Sequence, residues 1–180
     1  MLITLVRHGE TDWNAAGRFQ GHEDIALNAV GHAQAEALAE RLAREPLTQV
    51  FCSDLIRTRQ TVAPLLARLD LPVVYDAQWR ERHFGRLQGM SREQIRSTEP
   101  EIFELMRQRD PLAGFGGGES LEQFYERCVS ALCHVVKIAQ GDHPLVVCHG
   151  GVLDCIVTGD RVLISGNAVQ YLTGFITVEE

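Results

Sequence analysis

Three short segments of this sequence place histidine, arginine and glycine directly after an apolar run. The runs are LITLV, QVFC and LVVC, and the segments that follow them carry Arg7 with His8, Arg57, and His149. A histidine beside a glycine lies where a ligand can approach the backbone closely, and arginine binds tetrahedral anions with a rigid fork of donors. Two arginines and two histidines around one point therefore predict an anion site, and a phosphate monoester is the anion that fits it.

A fourth segment adds a carboxylate to this set. Glu81 stands in the stretch WRERHFGRLQG, after the short apolar run VVY. Taken alone, a glutamate between two arginines is usually a solvated surface residue. Its place after a predicted strand makes Glu81 a candidate general acid for a reaction at the anion site.

The elements that must position these residues follow from the apolar pattern. Runs without polar alternation predict strands covered on both faces, and they lie at 2–6, 49–52, 73–75 and 145–148. Helical patterns separate them, at 28–44, 55–69 and 120–140. This alternation predicts an α/β fold, a three-layer α/β/α sandwich with a mainly parallel central sheet. Ligands bind at the carboxyl ends of such strands, where the four segments would meet.

Finer expectations concern the helix faces and the tail. The predicted buried stripe of the first helix comprises Val30, Ala33, Ala37, Leu38 and Leu42. That of the second comprises Ile56, Ala63, Leu66 and Leu69, with Pro64 as an interruption. Capping is predicted at Asn28 and in a box formed by Ser120 and Gln123. The alternating tail at 167–178 predicts an edge strand or a hairpin.

Composition limits the classes of function. The chain has 180 residues and a net charge of -7, which predicts one domain over 1–180 and disfavours a nucleic-acid partner. No apolar run reaches the ~20 residues of a membrane helix, and no signal peptide is visible, so we expect a cytoplasmic protein without membrane contact. Five cysteines without a CxxC pair predict buried free thiols, and the seven histidines show no metal-ligand spacing.

Taken together, the motifs resemble those of a known family. LVRHGETDWN, SDLIRTRQT, ERHFGRLQG, GGES and VVCHGG occur in the order found in the histidine phosphatase superfamily, which has the phosphoglycerate-mutase-like fold. The resemblance extends from residue 2 to about 153. A single RHG is a weak motif, but the ordered set is specific.

The resemblance implies a role for each matching position. His8 would be the nucleophile that forms a phosphohistidine, and Glu81 would be the proton donor. The phosphoryl oxygens would be bound by Arg7, Arg57 and His149 as further catalytic residues. The predicted substrate-binding residues are Asn14, Gln20, Gly21 and Gly150. The resemblance implies neither a metal nor another cofactor. It implies a small phosphorylated metabolite as the partner.

Three functions remain open within this resemblance. The stretch from Glu81 to Gly85 is similar to the mutase version of the motif, which favours a phosphoglycerate mutase. Phe84 lacks the hydroxyl that mutases present there, and the short passage from Arg109 to Gly117 leaves no room for a shielding insertion, which favours a phosphatase. Asp154, where relatives carry arginine, keeps open a phospho-ligand binding domain without turnover.

The C-terminal part departs from the family pattern. After about residue 153 the chain is shorter than its relatives, which usually fit a full helix and loop before the last strand. A missing helix would uncover one side of the sheet. From this we expect a homodimer.

Overall fold

Six strands form one sheet in the residues that the structure, a computed structural model, describes: 1–158, 169–172 and 175–179. They are β1 (Leu2–Arg7), β2 (Gln49–Cys52), β3 (Val73–Tyr75), β4 (Pro144–Cys148), β5 (Val169–Leu172) and β6 (Phe175–Glu179). The order is β3-β2-β4-β1-β6-β5. The first four strands are mutually parallel, and β6 runs antiparallel to both β1 and β5. The mainly parallel sheet and the C-terminal hairpin are thus confirmed.

Seven helices accompany the sheet in the same residues. They are α1 (Asp12–Ala15), α2 (Ala29–Leu42), α3 (Ile56–Leu66), α4 (Arg92–Thr98), α5 (Pro100–Gln108), α6 (Leu121–Ile138) and α7 (Gly150–Thr158). Asn28 caps α2, and Ser120 with Gln123 forms the capping box of α6, as the sequence predicts. Pro64 lies in the last turn of α3, so only two residues of the helix follow the interruption.

The core lies on the two faces of the sheet. On one face, Leu5, Phe51 and Val146 pack against α6 and α7. On the other face, Val50 and Val147 pack against α2 and α3. Because every strand of the parallel part contributes side chains to a helix-covered face, the architecture is the predicted three-layer α/β/α sandwich.

The predicted buried face of α2 is wrong in part: Leu42 is buried and Leu38 packs against the core as predicted, whereas Ala33 and Ala37 are exposed. Val30 is 51% exposed, and the buried positions are Gly31, Ala35, Ala39 and Leu42. A Cβ at Gly31 would collide with the backbone of Glu10, so α2 touches the turn after β1 through its smallest residue. Close contact between backbones selects small side chains, and an apolar stripe therefore gives no signal for it.

The predicted face of α3 is also wrong. Its buried residues are Arg57, Thr58, Thr61, Val62 and Leu65, so the first half of the buried face is polar. These polar groups face the site at the strand ends, where hydrogen bonds compensate their burial. The strand β3 differs too, since its position at the sheet edge leaves Val74 and Tyr75 exposed.

Four of the five cysteines are buried, and Cys133 is exposed on α6. Burial raises the pKa of Cys52 to about 12 and also raises the pKa of Cys148, which marks both as structural thiols. In the described residues every helix is too short or too polar to span a bilayer. The segment between 158 and 169, on which the expected uncovered sheet face and homodimer depend, lies outside the described residues.

Candidate active site

His8 follows β1 directly and is 7% exposed. Its backbone N–H donates to the Cys148 carbonyl at 3.1 Å, which extends the pairing of β1 with β4 by one residue. The ring atom Nδ1 lies 2.6 Å from the Gly9 carbonyl oxygen. Because a carbonyl only accepts, Nδ1 carries the proton and Nε2 carries the free lone pair.

The electrostatic surroundings keep the His8 ring neutral. Burial, together with the nearby Arg57 guanidinium, lowers the pKa of His8 to about 3. The turn that holds it is fixed from α3, because the Gly9 N–H donates to Thr61 Oγ1 at 3.0 Å. His8 is therefore an oriented, unprotonated imidazole at neutral pH, the form that a nucleophile needs.

Arg57 and His149 lie behind His8, and both are fully buried. Arg57 Nε donates to His149 Nδ1 at 3.3 Å, and its two Nη atoms donate to the carbonyls of Gly21 and Glu23 at 2.8 and 2.7 Å. Burial lowers the pKa of Arg57 to about 10, so it stays charged at neutral pH. Three of its five N–H donors are used in this way, which leaves two for an anion.

His149 adopts one tautomer in this arrangement. Its Nδ1 accepts from Arg57, so the proton is on Nε2, which donates to Ser53 Oγ at 2.9 Å. Burial and the charge of Arg57 lower its pKa well below the usual range for histidine. The ring centroids of His149 and His8 are 5.1 Å apart.

A cavity of about 270 Å³ opens in front of these residues. We call it the phosphate cavity; its polar lining comprises Arg7, His8, Asn14, Arg18, Gln20, Arg57 and Glu81. Gly150 also lines it, under the guanidinium of Arg7. The structure thus brings together most of the residues that the sequence predicts. Two of them, Gly21 and His149, are not among the described residues that line the cavity, and they act on it through Arg57.

Two amides complete the polar wall of the phosphate cavity. Asn14 Oδ1 accepts from the backbone N–H of Thr11 at 3.1 Å, so the amide oxygen is fixed and the NH₂ group remains as a donor. Gln20 is 7% exposed, and its Oε1 is a buried atom without a hydrogen-bond partner in the described residues. An orphaned buried acceptor is costly, and this one lies where a ligand can satisfy it.

Glu81 lines the phosphate cavity together with the positive groups. Its Oε2 accepts from the Gly151 N–H and its Oε1 from the Arg82 N–H, each at 2.9 Å. A Cβ at Gly151 would collide with Glu81 Oε1, so the glycine is required for this approach. Each carboxylate oxygen keeps a further lone pair that can carry or accept a proton.

The segment 78–83, which carries Glu81 and which we call the Glu81 strap, is held by Arg127 of α6. Its guanidinium donates to the carbonyls of Gln78, Arg80 and Glu81 at 2.8 to 3.1 Å, and to the carboxylate of Glu119 at 2.7 Å. Glu119 Oε2 in turn accepts from the His83 N–H at 2.8 Å. His22 Nε2 also donates to the Glu81 carbonyl, at 2.9 Å. This arrangement, the Arg127 clamp, fixes the backbone on both sides of the carboxylate.

A second cavity of about 330 Å³ adjoins the phosphate cavity and shares Phe19, Glu81, Phe84 and Gly151 with it. We call it the apolar cavity, because most of its remaining lining residues are apolar; these come from α4, α5, the start of α6, the loop residue Phe115 and Cys155 of α7. Its charged lining residues are Arg82, Arg92, Arg109, Asp110 and Asp154. The apolar lining comprises Ile95, Phe103, Leu105, Met106, Phe115, Leu121 and Phe124.

Sequence reasoning missed several contributors. Arg18, which lines the phosphate cavity, and Arg127, which clamps the Glu81 strap, gave no signal beyond a charge in the sequence. Two further arginines of this region form ion pairs within the chain: Arg107 with Glu104, and Arg109 with Asp154. Within the described residues no three His, Cys, Asp or Glu side chains could hold a metal ion together.

Comparison with known proteins agrees with this geometry. A family model described as the histidine phosphatase superfamily (branch 1) matches residues 3–159. The chain is 39% identical to the metal-independent phosphoserine phosphatase of Arabidopsis thaliana, over 98% of this chain and 74% of that protein. It is 40% identical to phosphoglycerate mutase-like protein 4 of the same plant, over 84% of this chain and 67% of that protein.

Solved structures give the same result for the fold. A putative α-ribazole-5′-phosphate phosphatase from Escherichia coli superimposes with a TM-score of 0.80 at 28% identity, over 86% of this chain and 76% of that one. A mycobacterial glucosyl-3-phosphoglycerate phosphatase does so with a TM-score of 0.77 at 32% identity, over 86% and 79%.

Proposed function

This chain belongs to the histidine phosphatase superfamily, and we propose that it hydrolyses a small phosphomonoester through a phosphohistidine on His8. The observation that carries the proposal is the state of His8. Its Nδ1–H is held by the Gly9 carbonyl, its ring is neutral, and its free Nε2 borders a cavity lined by Arg7 and Arg57.

In the first step His8 Nε2 attacks phosphorus and the bond from phosphorus to the ester oxygen breaks. The proton of Glu81 passes to that oxygen, so the alcohol leaves neutral. The hydrogen bond from Nδ1–H to Gly9 stabilises the positive ring that results. Arg7, two N–H donors of Arg57 and the amide of Asn14 surround the transferring oxygens, where preorganised donors stabilise developing charge.

In the second step water attacks the phosphohistidine and gives its proton to the Glu81 carboxylate. The bond between phosphorus and Nε2 breaks, and inorganic phosphate leaves with His8 neutral again. The positive field needed at each stage comes from the chain's own side chains.

Hydrolysis is favoured over transfer to a second substrate by two observations. Only seven residues separate Arg109 from Gly117, so no long insertion shields the phosphohistidine from water. The relatives named for phosphoserine and glucosyl-3-phosphoglycerate are phosphatases of small phosphorylated compounds. A relative named as phosphoglycerate mutase-like supports mutase activity as the second candidate.

One assay separates the candidates. The purified protein is given 3-phosphoglycerate with and without 2,3-bisphosphoglycerate, and free phosphate and 2-phosphoglycerate are both measured. Phosphate release from a panel of phosphomonoesters, with acid-labile label on His8, is the expected result. Formation of 2-phosphoglycerate that depends on bisphosphoglycerate would establish the mutase instead. Vanadate binding without label or turnover would establish a binding domain.

A further inference from the structure

The apolar cavity meets the phosphate cavity at the proton donor. Glu81 and Gly151 line both cavities, and Phe19 and Phe84 form the rest of the shared border. A proton donor has to reach the ester oxygen of the substrate. With phosphorus at His8 and the ester oxygen at Glu81, the carbon side of the ester points into the apolar cavity.

The wall of the apolar cavity is built to bury hydrocarbon. Phe19, Phe84, Phe103, Phe115 and Phe124 all line it, together with aliphatic side chains from α4 and α5. Phe115 and Phe124 are almost fully buried, and Phe19 and Phe84 pack edge to face with ring centroids 5.0 Å apart. The charged side chains of the same wall are Arg82, Arg92, Arg109, Asp110 and Asp154.

Two of the three arginines of this wall donate to acceptors within the protein. Arg82 Nη2 donates to the carbonyls of Ala113 and Glu119, and its guanidinium lies 4.5 Å from the centre of the Phe115 ring. Arg109 Nη2 donates to the carboxylate of Asp154 at 2.9 Å. Arg92 lies over the Phe103 ring at 5.5 Å. Two of the three arginines thus donate to the protein, and all three extend over or beside apolar surface.

We propose that the apolar cavity binds the alcohol part of the substrate and selects phosphomonoesters of apolar, ring-sized alcohols over those of serine or glycerate. The inference rests on the proposed function and specifies its substrate class. A volume of about 330 Å³ is at the small end of ligand sites, which suits one or two rings.

The test is a series of phosphomonoesters with similar leaving-group basicity: ethyl, butyl, hexyl and 2-phenylethyl phosphate, beside phosphoserine and 3-phosphoglycerate. The measured quantity is kcat/KM for phosphate release. We expect about a fourfold rise per methylene until the cavity is filled, the fold-change that ~0.8 kcal/mol per buried CH₂ gives. The 2-phenylethyl ester should exceed the ethyl ester about thirtyfold. Phosphoserine and 3-phosphoglycerate should stay near ethyl phosphate.

A variant in the wall and a matched control localise the selection. Leu105 lines the apolar cavity and is 36% exposed, whereas Leu112 is 72% exposed and outside the described lining. Leu105→Asp should lower kcat/KM for 2-phenylethyl phosphate about tenfold, with ethyl phosphate little changed, because the carboxylate replaces apolar wall. Leu112→Asp should change neither. If Leu105→Asp does not fold, the same comparison of 2-phenylethyl phosphate with ethyl phosphate can be made with Phe103→Ala.

The outcomes separate this inference from the proposed function. Phosphate release at one rate across the series, or a preference for phosphoserine or 3-phosphoglycerate, would overturn the substrate class while the phosphohistidine scheme stands. No release from any ester and no label on His8 would overturn both.

Discussion

The two adjoining cavities are built in different ways. The phosphate cavity lies at the ends of β1, β2 and β4, where ladder pairing such as Arg7 with Cys148 fixes the backbone. Its buried polar groups are mostly hydrogen-bonded to the protein. The apolar cavity is walled by two short helices and a glycine-rich loop, over a small core cluster of Leu87, Ile95 and Phe115.

Because of this difference, the groups proposed to react and the groups proposed to select the substrate lie in separate parts of the fold. Moving a group at the strand ends would disturb the main core of the sheet, so the reacting groups are held by the most stable part of the fold. The segment from β3 to α6 is anchored in the main core through Trp79, but its part around Leu87, Ile95 and Phe115 packs as a separate small cluster, whose side chains can change without moving the strands. Variants of groups that attack or bind the phosphoryl group, such as His8, should therefore affect all substrates alike, whereas variants of the apolar wall or of Glu81, which lines both cavities, should affect only some.

The largest effect is expected for His8→Ala, which removes the nucleophile. We expect kcat/KM to fall by about 10⁴ or more, equally for ethyl and 2-phenylethyl phosphate, with loss of the acid-labile label. His32→Ala, an exposed histidine of α2, is the control. Residual turnover near that of the unchanged protein would exclude a covalent route through His8.

The loss of activity in Glu81→Gln should depend on the leaving group of the ester. The glutamine keeps an acceptor for one backbone N–H but has no proton to give, so kcat/KM should fall about 10³-fold for alkyl phosphates. 4-Nitrophenyl phosphate, whose leaving group needs no proton, should lose about tenfold at most. Glu122→Gln on the surface of α6 is the control. Equal losses for both esters would mean that Glu81 is not the acid.

Arg127→Lys should have a smaller effect than Glu81→Gln, with the same difference between alkyl phosphates and 4-nitrophenyl phosphate. A lysine cannot reach three carbonyls and a carboxylate at once, so the Glu81 strap loses part of its support. We expect kcat/KM to fall about thirtyfold for alkyl phosphates and much less for 4-nitrophenyl phosphate. Arg96→Lys in α4 is the matched control. A uniform loss with both esters would indicate a general structural role for the clamp.

The smallest effect concerns stability against pH. The unfolded chain protonates His8 below about pH 6.5, whereas the folded chain does so only near pH 3. Protons that bind only to the unfolded state stabilise that state. The free energy of unfolding should therefore decrease as the pH falls from 7 to 5. In urea unfolding, His8→Gln should reduce this decrease by about 1–2 kcal/mol. An equal decrease in the unchanged protein and in His8→Gln would refute the linkage.

The strand ends were the most predictable part of the molecule. The positions of β2 and β3 and the residues after β1, β2 and β4 follow from short apolar runs, because a buried parallel strand is apolar along its whole length. The helix faces were less predictable. On α3 the buried side carries Arg57, Thr58 and Thr61. An apolar stripe cannot predict this side, because its polar residues are buried beside the site and not in an apolar core.

The sequence alone predicted the parallel strands and three of the helices, because strand and helix periodicity are local properties of the chain, and the resemblance of its motifs suggested which side chains react. Tertiary structure decided how those side chains are used. The tautomer of His8 depends on its contact with Gly9, the place of Glu81 depends on Arg127 and Gly151, and the two cavities join only because the segment from β3 to α6 folds back over the strand ends. Most of these contacts join residues far apart in the chain, and their geometry arises only when the layers pack.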